Sequence, residues 1–184
     1  EPPTVARIQE QLVTRTAEEL RGLRLPEPAQ LVTYSLFTGP GEPLGIRIVY
    51  LSDHDVSSDA LELIVEDIRQ RVAIADARVV LVRVNATLEP LVFARNSAVV
   101  TPAIAATLDI AGQSISEYPM LRGTVTGGGE PGEHAGIADE RTEAIVSYLV
   151  EKWHVPGDVV TRSATDQPPR TTTLTISVAV FGKS

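Results

Sequence analysis

The sequence predicts an α/β fold built as two small α+β two-layer sandwiches, and three observations predict it. Segments of helical hydrophobic period alternate with segments of period two along the whole length. Proline and glycine clusters fall between these segments. With 184 residues, 43% hydrophobic and 22% charged, the chain has material for one core or two small ones and lacks the composition of a disordered tail.

The first element is an amphipathic helix over Thr4–Arg24, with Val5, Ile8, Leu12 and Leu20 near one face. Leu25-Pro26-Glu27-Pro28 ends it, because the residue before a proline is pushed out of the helical region and proline has no amide proton. Two strands follow, Gln30–Thr38 and Leu44–Leu51, joined as a hairpin through Gly39-Pro40-Gly41-Glu42-Pro43. Ser52-Asp53-His54-Asp55 breaks the second strand, as a turn whose side chains cap the next helix. From Ser57 the spacing of Leu61, Ile64, Val65, Ile68 and Val72 is the strongest helical pattern in the chain. Ala77–Asn85 alternates as a strand and completes an α-β-β-α-β unit, a small α/β domain over residues 1–87.

The second unit, residues 88–184, reads β-α-β-α-β-β. Leu91–Ala94 is a strand, and Thr101-Pro102 supplies an N-cap and a first-turn proline for a helix that Tyr118-Pro119 stops. Leu121–Thr126 alternates as a strand and runs into residues 127–136, whose five glycines predict a long loop. A helix starts at Asp139 and ends near Trp153, whose ring is expected against the sheet. Val159–Ala164 and Leu174–Phe181 are strands around a proline-rich loop.

Composition excludes several functions. Sixteen Lys and Arg against 24 Asp and Glu give a net charge of -8, which disfavours a nucleic-acid footprint. The absence of Cys removes disulfides, thiol nucleophiles and cysteine-based metal sites. No apolar run approaches the roughly 18 residues of a membrane span. The sequence has no Gly-x-Ser-x-Gly, no P-loop and no His-Glu-x-x-His, so it points away from an enzyme and to no cofactor. Gly127-x-Gly129-x-x-Gly132 has dinucleotide-fingerprint spacing, but Glu130, Pro131 and Glu133 oppose a diphosphate and an immediate helix. Glu130, Glu133 and His134 carry metal-ligand atoms, yet a glycine loop rarely fixes three ligands unaided, and no metal is expected there.

Phe93-Ala94-Arg95-Asn96-Ser97-Ala98, a helix ending Glu117-Tyr118-Pro119, a strand into glycines, and Glu140-Arg141-Thr142-Glu143-Ala144-Ile145-Val146-Ser147-Tyr148-Leu149 occur in that order. The pattern resembles the OmpA-like, peptidoglycan-associating domain over about residues 88–182; the first half is faintly similar to BON-type domains. The resemblance implies an envelope module in which a loop acid and an Arg at the start of the following helix hold the zwitterionic diamino acid of the peptidoglycan stem. Arg141 falls at the Arg position, Glu130 is the nearest counterpart of the acid, and Arg170 is the cation near the final strand. The family's loop Asn is absent, and its Asn-Arg-Arg run is Thr171-Thr172-Thr173 here.

These departures imply a degenerate site. The expectation is a non-enzymatic cell-envelope module serving assembly or anchoring, periplasmic or extracytoplasmic. It would be the soluble part of a larger bacterial protein, tethered to a membrane by a segment outside this chain, with self-association or an envelope protein as partner. The alternatives are a true peptidoglycan anchor acting through Glu130 and Arg141, and a ligand- or metal-responsive sensor built on the glycine loop. On the residues alone, Arg141 could instead pair with Glu140 or Glu143 on a helix surface.

Overall fold

The computed structural model describes residues 5–37, 42–165 and 171–179. It is mixed α/β, with two three-stranded sheets and four α-helices among these residues, and divides into two compact units, Glu1–Val84 and Asn85–Ser184.

In the first unit, α1 (Val5–Leu20), β1 (Gln30–Phe37), β2 (Gly45–Leu51), α2 (Ser58–Val72) and β3 (Arg78–Val84) follow the expected order. β2 is central, antiparallel to β1 and parallel to β3, with α2 as the crossover that a parallel pair requires. Ile46 and Ile48, two apart on β2, point to one face and are fully buried with Leu20, Leu23, Ile64, Ile68 and Val72. Each such aliphatic side chain contributes roughly 1.5–3 kcal/mol by leaving water.

The helix ends differ from the sequence reading. α1 stops at Leu20, because the Leu23 amide turns back to the Leu20 carbonyl at 3.0 Å and buries Leu23 in the core. α2 is capped by Ser57, whose hydroxyl accepts from the Ala60 amide, rather than by Asp53 or Asp55. The Asp55 carboxylate instead lies 3.3 Å from the Arg83 guanidinium. The turn residues 38–41 lie outside the described residues.

In the second unit, α3 (Pro102–Glu117), β4 (Leu121–Gly128), α4 (Ile137–Trp153), β5 (Val160–Thr165) and β6 (Thr173–Val178) form a sheet of order β5-β4-β6. β4 is parallel to β5 and antiparallel to β6, and its inward residues Leu121 and Val125 are fully buried, as are Leu108, Ile145, Leu149 and Leu174. Thr101 caps α3 and Pro102 opens it, as the sequence predicts.

Two expectations are corrected here. Leu91–Ala94 is not a strand: Leu91 makes one bridge to Thr172, and the carbonyls that follow turn inward to a side chain of α4 instead of joining a ladder. Gly127 and Gly128 belong to β4 rather than to the loop. A β-carbon on Gly127 would collide with the Ala138 carbonyl and the Thr142 hydroxyl, so glycine serves the close approach of α4. Trp153 packs over Gly112 of α3, because a residue without a β-carbon leaves the indole that space. Asp109 holds it there, accepting from Trp153 Nε1 and Tyr148 Oη at 2.8 Å each and from Lys152 Nζ at 2.9 Å.

Candidate functional site

The close contact of α4 with the end of β4 determines where Arg141 goes. α4 starts at Ile137, its first turn carries Asp139 and Glu140 in the positions the helix dipole favours, and Thr142 donates to the Ala138 carbonyl at 2.9 Å. Arg141 therefore projects from the first turns of α4 past Gly128 and beneath the segment 93–97, with a side chain only 5% exposed.

A buried guanidinium requires a partner for each of its five N–H groups, and all five have one. Nε donates to the Ser97 carbonyl at 3.0 Å. Nη1 donates to the Gly128 carbonyl at 2.8 Å and to Glu133 Oε2 at 3.0 Å. Nη2 donates to the Ala94 carbonyl at 3.1 Å and to Glu133 Oε1 at 2.6 Å. The Phe93 ring lies 5.5 Å from the guanidinium carbon, so one face of the cation rests on an aromatic surface.

Glu133 is saturated in the same way. Oε1 also accepts from the Asn96 amide at 2.8 Å, and Oε2 from the Glu130 amide at 2.6 Å. Its side chain is 1% exposed. Donation by Arg141, and then by the two backbone amides, brings its pKa down from the ordinary 4.5 to about 2. Asn96 adopts a left-handed backbone with φ of 52°, which asparagine tolerates better than most residues, and its side-chain oxygen accepts from the His134 amide at 2.9 Å. The loop after β4 and the segment 93–97 are thus joined over Arg141.

The structure places the expected site residues unequally. Glu130 and Arg141 line one cavity of about 80 Å³ with Phe93 and Thr172, but the carboxylate paired with Arg141 is that of Glu133. Glu130 is exposed, and it is its backbone amide that bonds to Glu133. Arg170 lies outside the described residues. Pairing of Arg141 with Glu140 or Glu143 is corrected: those acids meet His134 at 3.5 Å and Arg162 at 3.1 Å respectively, while Arg141 points inward.

The sequence reading assigns no role to Asn96, and takes Glu133 as an acid that opposes a diphosphate and as a possible metal ligand, not as the partner of Arg141. An Asn beside the Ser97-Ala98 motif, as a residue suited to positive φ, was the available signal. Thr172, within the run that replaces Asn-Arg-Arg, is a buried seam: its hydroxyl accepts from the Gly128 amide at 3.2 Å, and its carbonyl accepts from the Leu91 amide at 2.8 Å. Among the described residues no three His, Asp or Glu side chains converge as metal ligands, and no helix is long and apolar enough to cross a membrane.

No family model matches the chain, and no curated protein matches it. Among solved structures it is similar to the OmpA-like domain of FopA1 from Francisella tularensis subsp. tularensis SCHU S4. That similarity has a TM-score of 0.40 at 12% identity, and covers 47% of this chain and 68% of that one.

Proposed function

We propose that the chain is a non-enzymatic module of the bacterial cell envelope, periplasmic or extracytoplasmic. In this reading it serves assembly or anchoring and carries a degenerate peptidoglycan-type site. The observation that carries the reading is the state of Arg141. The Arg at this position of the resembled motif would fork a ligand carboxylate, and here the fork is taken by Glu133 of the same chain. The replacement of Asn-Arg-Arg by threonines, one of them a buried seam, supports the same conclusion. Partner contacts then fall to the exposed faces of the sheets and helices, through self-association or an envelope protein.

The test is sedimentation with insoluble peptidoglycan, with the oligomeric state measured in parallel. The reading expects the chain in the supernatant. Retention on the wall would favour the second reading, a wall anchor acting through Glu130 and Arg141, which has in its support that both residues line the same cavity.

A further inference from the structure

The sheet of the first unit ends on β3, where Val79, Val80, Leu81 and Val82 are consecutive, apolar and half-buried between Arg78 and Arg83. Because β3 runs parallel to β2, alternate residues turn both backbone groups to that neighbour. The Arg78 amide donates to the Leu44 carbonyl at 2.8 Å and the Val84 carbonyl accepts from the Ser52 amide at 3.0 Å, which assigns Arg78, Val80, Val82 and Val84 to the β2 side. Val79, Leu81 and Arg83 therefore turn their backbone groups outward, where no described residue pairs with them. The other sheet edges are blunted. β1 breaks register between Leu31 and Thr33, β6 is bridged at Thr87 and Leu91, and β5 presents the exposed polar residues Thr161, Arg162 and Ser163. β3 keeps unbroken register with β2 from Arg78 to Val84, and it has no proline, lysine or bulge to deter a further strand.

We propose that β3 is a self-association edge: β3 of a second copy pairs with it antiparallel, about a two-fold axis at Leu81, and joins the two sheets into one. The strand is self-complementary in this register. The outward residues meet one another, Leu81 with Leu81 and Val79 with Arg83, and each pair can exchange both backbone bonds. Between them Val80 faces Val82 and Arg78 faces Val84, so apolar meets apolar and no Arg is set against an Arg. Arg83 keeps the Asp55 carboxylate of its own chain at 3.3 Å, so its charge does not enter the seam unpaired. An axis at Val80 would call on Ala77, whose amide already donates to the Ile74 carbonyl and whose carbonyl already accepts from Arg69 Nε at 3.1 Å. An axis at Val82 would set Leu81 against Arg83 and run past the end of the strand. The inference rests on the reading of the chain as an assembly module and names the edge that serves it. Its test uses no wall material, so wall binding can overturn that reading without touching the strand.

The experiment follows the whole wild-type chain at high and low concentration, with sedimentation equilibrium for the oligomeric state and hydrogen exchange for the edge. The expected result is a dimer that dissociates on dilution, in which the Val79, Leu81 and Arg83 amides exchange about tenfold or more slowly than in the monomer, while those of Val80 and Val82, bonded to β2 in both states, change little. The register is read by cross-linking, since the chain has no Cys of its own. Val80→Cys and Val82→Cys chains are oxidised separately and as a mixture. A disulfide-linked dimer is expected in the mixture and in neither chain alone, because only Val80 and Val82 are directly opposite and like positions lie beyond disulfide reach. Should either variant fail to fold, exchange in the wild-type chain decides. A monomer at every concentration overturns the proposal and leaves the edge to a strand of another protein. A dimer whose Leu81 amide exchanges as in the monomer overturns it too, as does equal cross-linking of each variant alone.

Discussion

Arg141 and Glu133 face each other as a bidentate pair eight residues apart, Nη2 to Oε1 at 2.6 Å and Nη1 to Oε2 at 3.0 Å, and no donor or acceptor of either faces solvent unpaired. The pair joins α4 to the loop that precedes it and, through Asn96, to the segment that crosses above. Such a pair holds geometry more than it adds net stability, because two charges have left water to form it. Losing one partner is the damaging event.

The first prediction follows from the Glu133 pKa. The carboxylate is ionised in the folded chain down to about pH 2, whereas in the unfolded chain it protonates near 4.5. Between those values the unfolded state binds the extra proton, so stability rises with pH there. This group's contribution is fully present above about 4.5 and lost as pH falls through about 2. Urea unfolding between pH 2 and 6 should show the slope in wild type and a smaller slope in Glu133→Gln.

The second concerns two glycines with opposite surroundings. Gly127→Ala places a methyl group against the Ala138 carbonyl and Thr142 Oγ1, an overpacking expected to cost about 1–3 kcal/mol and to loosen Arg141 with it. Gly157 has no atom within 4 Å of an added β-carbon and no positive φ, so Gly157→Ala should lie within about 0.5 kcal/mol of wild type. Denaturant midpoints of the two variants measure the difference.

A third prediction uses the one tryptophan of the sequence as a reporter. Gly112→Ala fills the space on α3 that the Trp153 ring occupies, and Asp109→Asn weakens the acceptor that holds its Nε1. Both should make Trp153 fluorescence more accessible to acrylamide, with Gly112→Ala also destabilising by about 1–3 kcal/mol. Unchanged quenching in both variants would contradict the packing described.

The fourth is a cap. Thr101 accepts from the Ile104 amide at the start of α3, and Thr101→Ala should cost about 1 kcal/mol, read from the urea midpoint. Val99→Ala, at an exposed neighbouring position, should change it by less than about 0.5 kcal/mol.

Much of the fold could be read from the chain because local signals and tertiary packing agree. Ile64, Ile68 and Val72 repeat at helical spacing and are the residues of α2 that are buried, and Thr101-Pro102 marks the start of α3 by chemistry that acts within one turn. Arg141 is legible in the sequence as a site residue, but its partner Glu133 is not. Which acid of a glycine-rich loop reaches a buried guanidinium depends on the loop's path, and Glu130 and Glu133 differ in nothing that spacing records. Leu91–Ala94 has strand composition, yet its last carbonyl, that of Ala94, is drawn to Arg141, a tertiary demand absent from any local pattern. Gly127 misleads in the other direction, since glycine signals a turn in sequence and here meets the approach of a helix.

Whether the Arg141 guanidinium is closed to outside ligands is measured by its own NH resonances, in the wild-type chain and without any mutation. The Arg141 Nε–Hε signal of the wild-type protein is followed while soluble peptidoglycan fragments are added. The account predicts a slowly exchanging, well-resolved signal that stays in place throughout the titration. A progressive, saturable shift of that signal would contradict it, and would make the chain a wall-binding anchor.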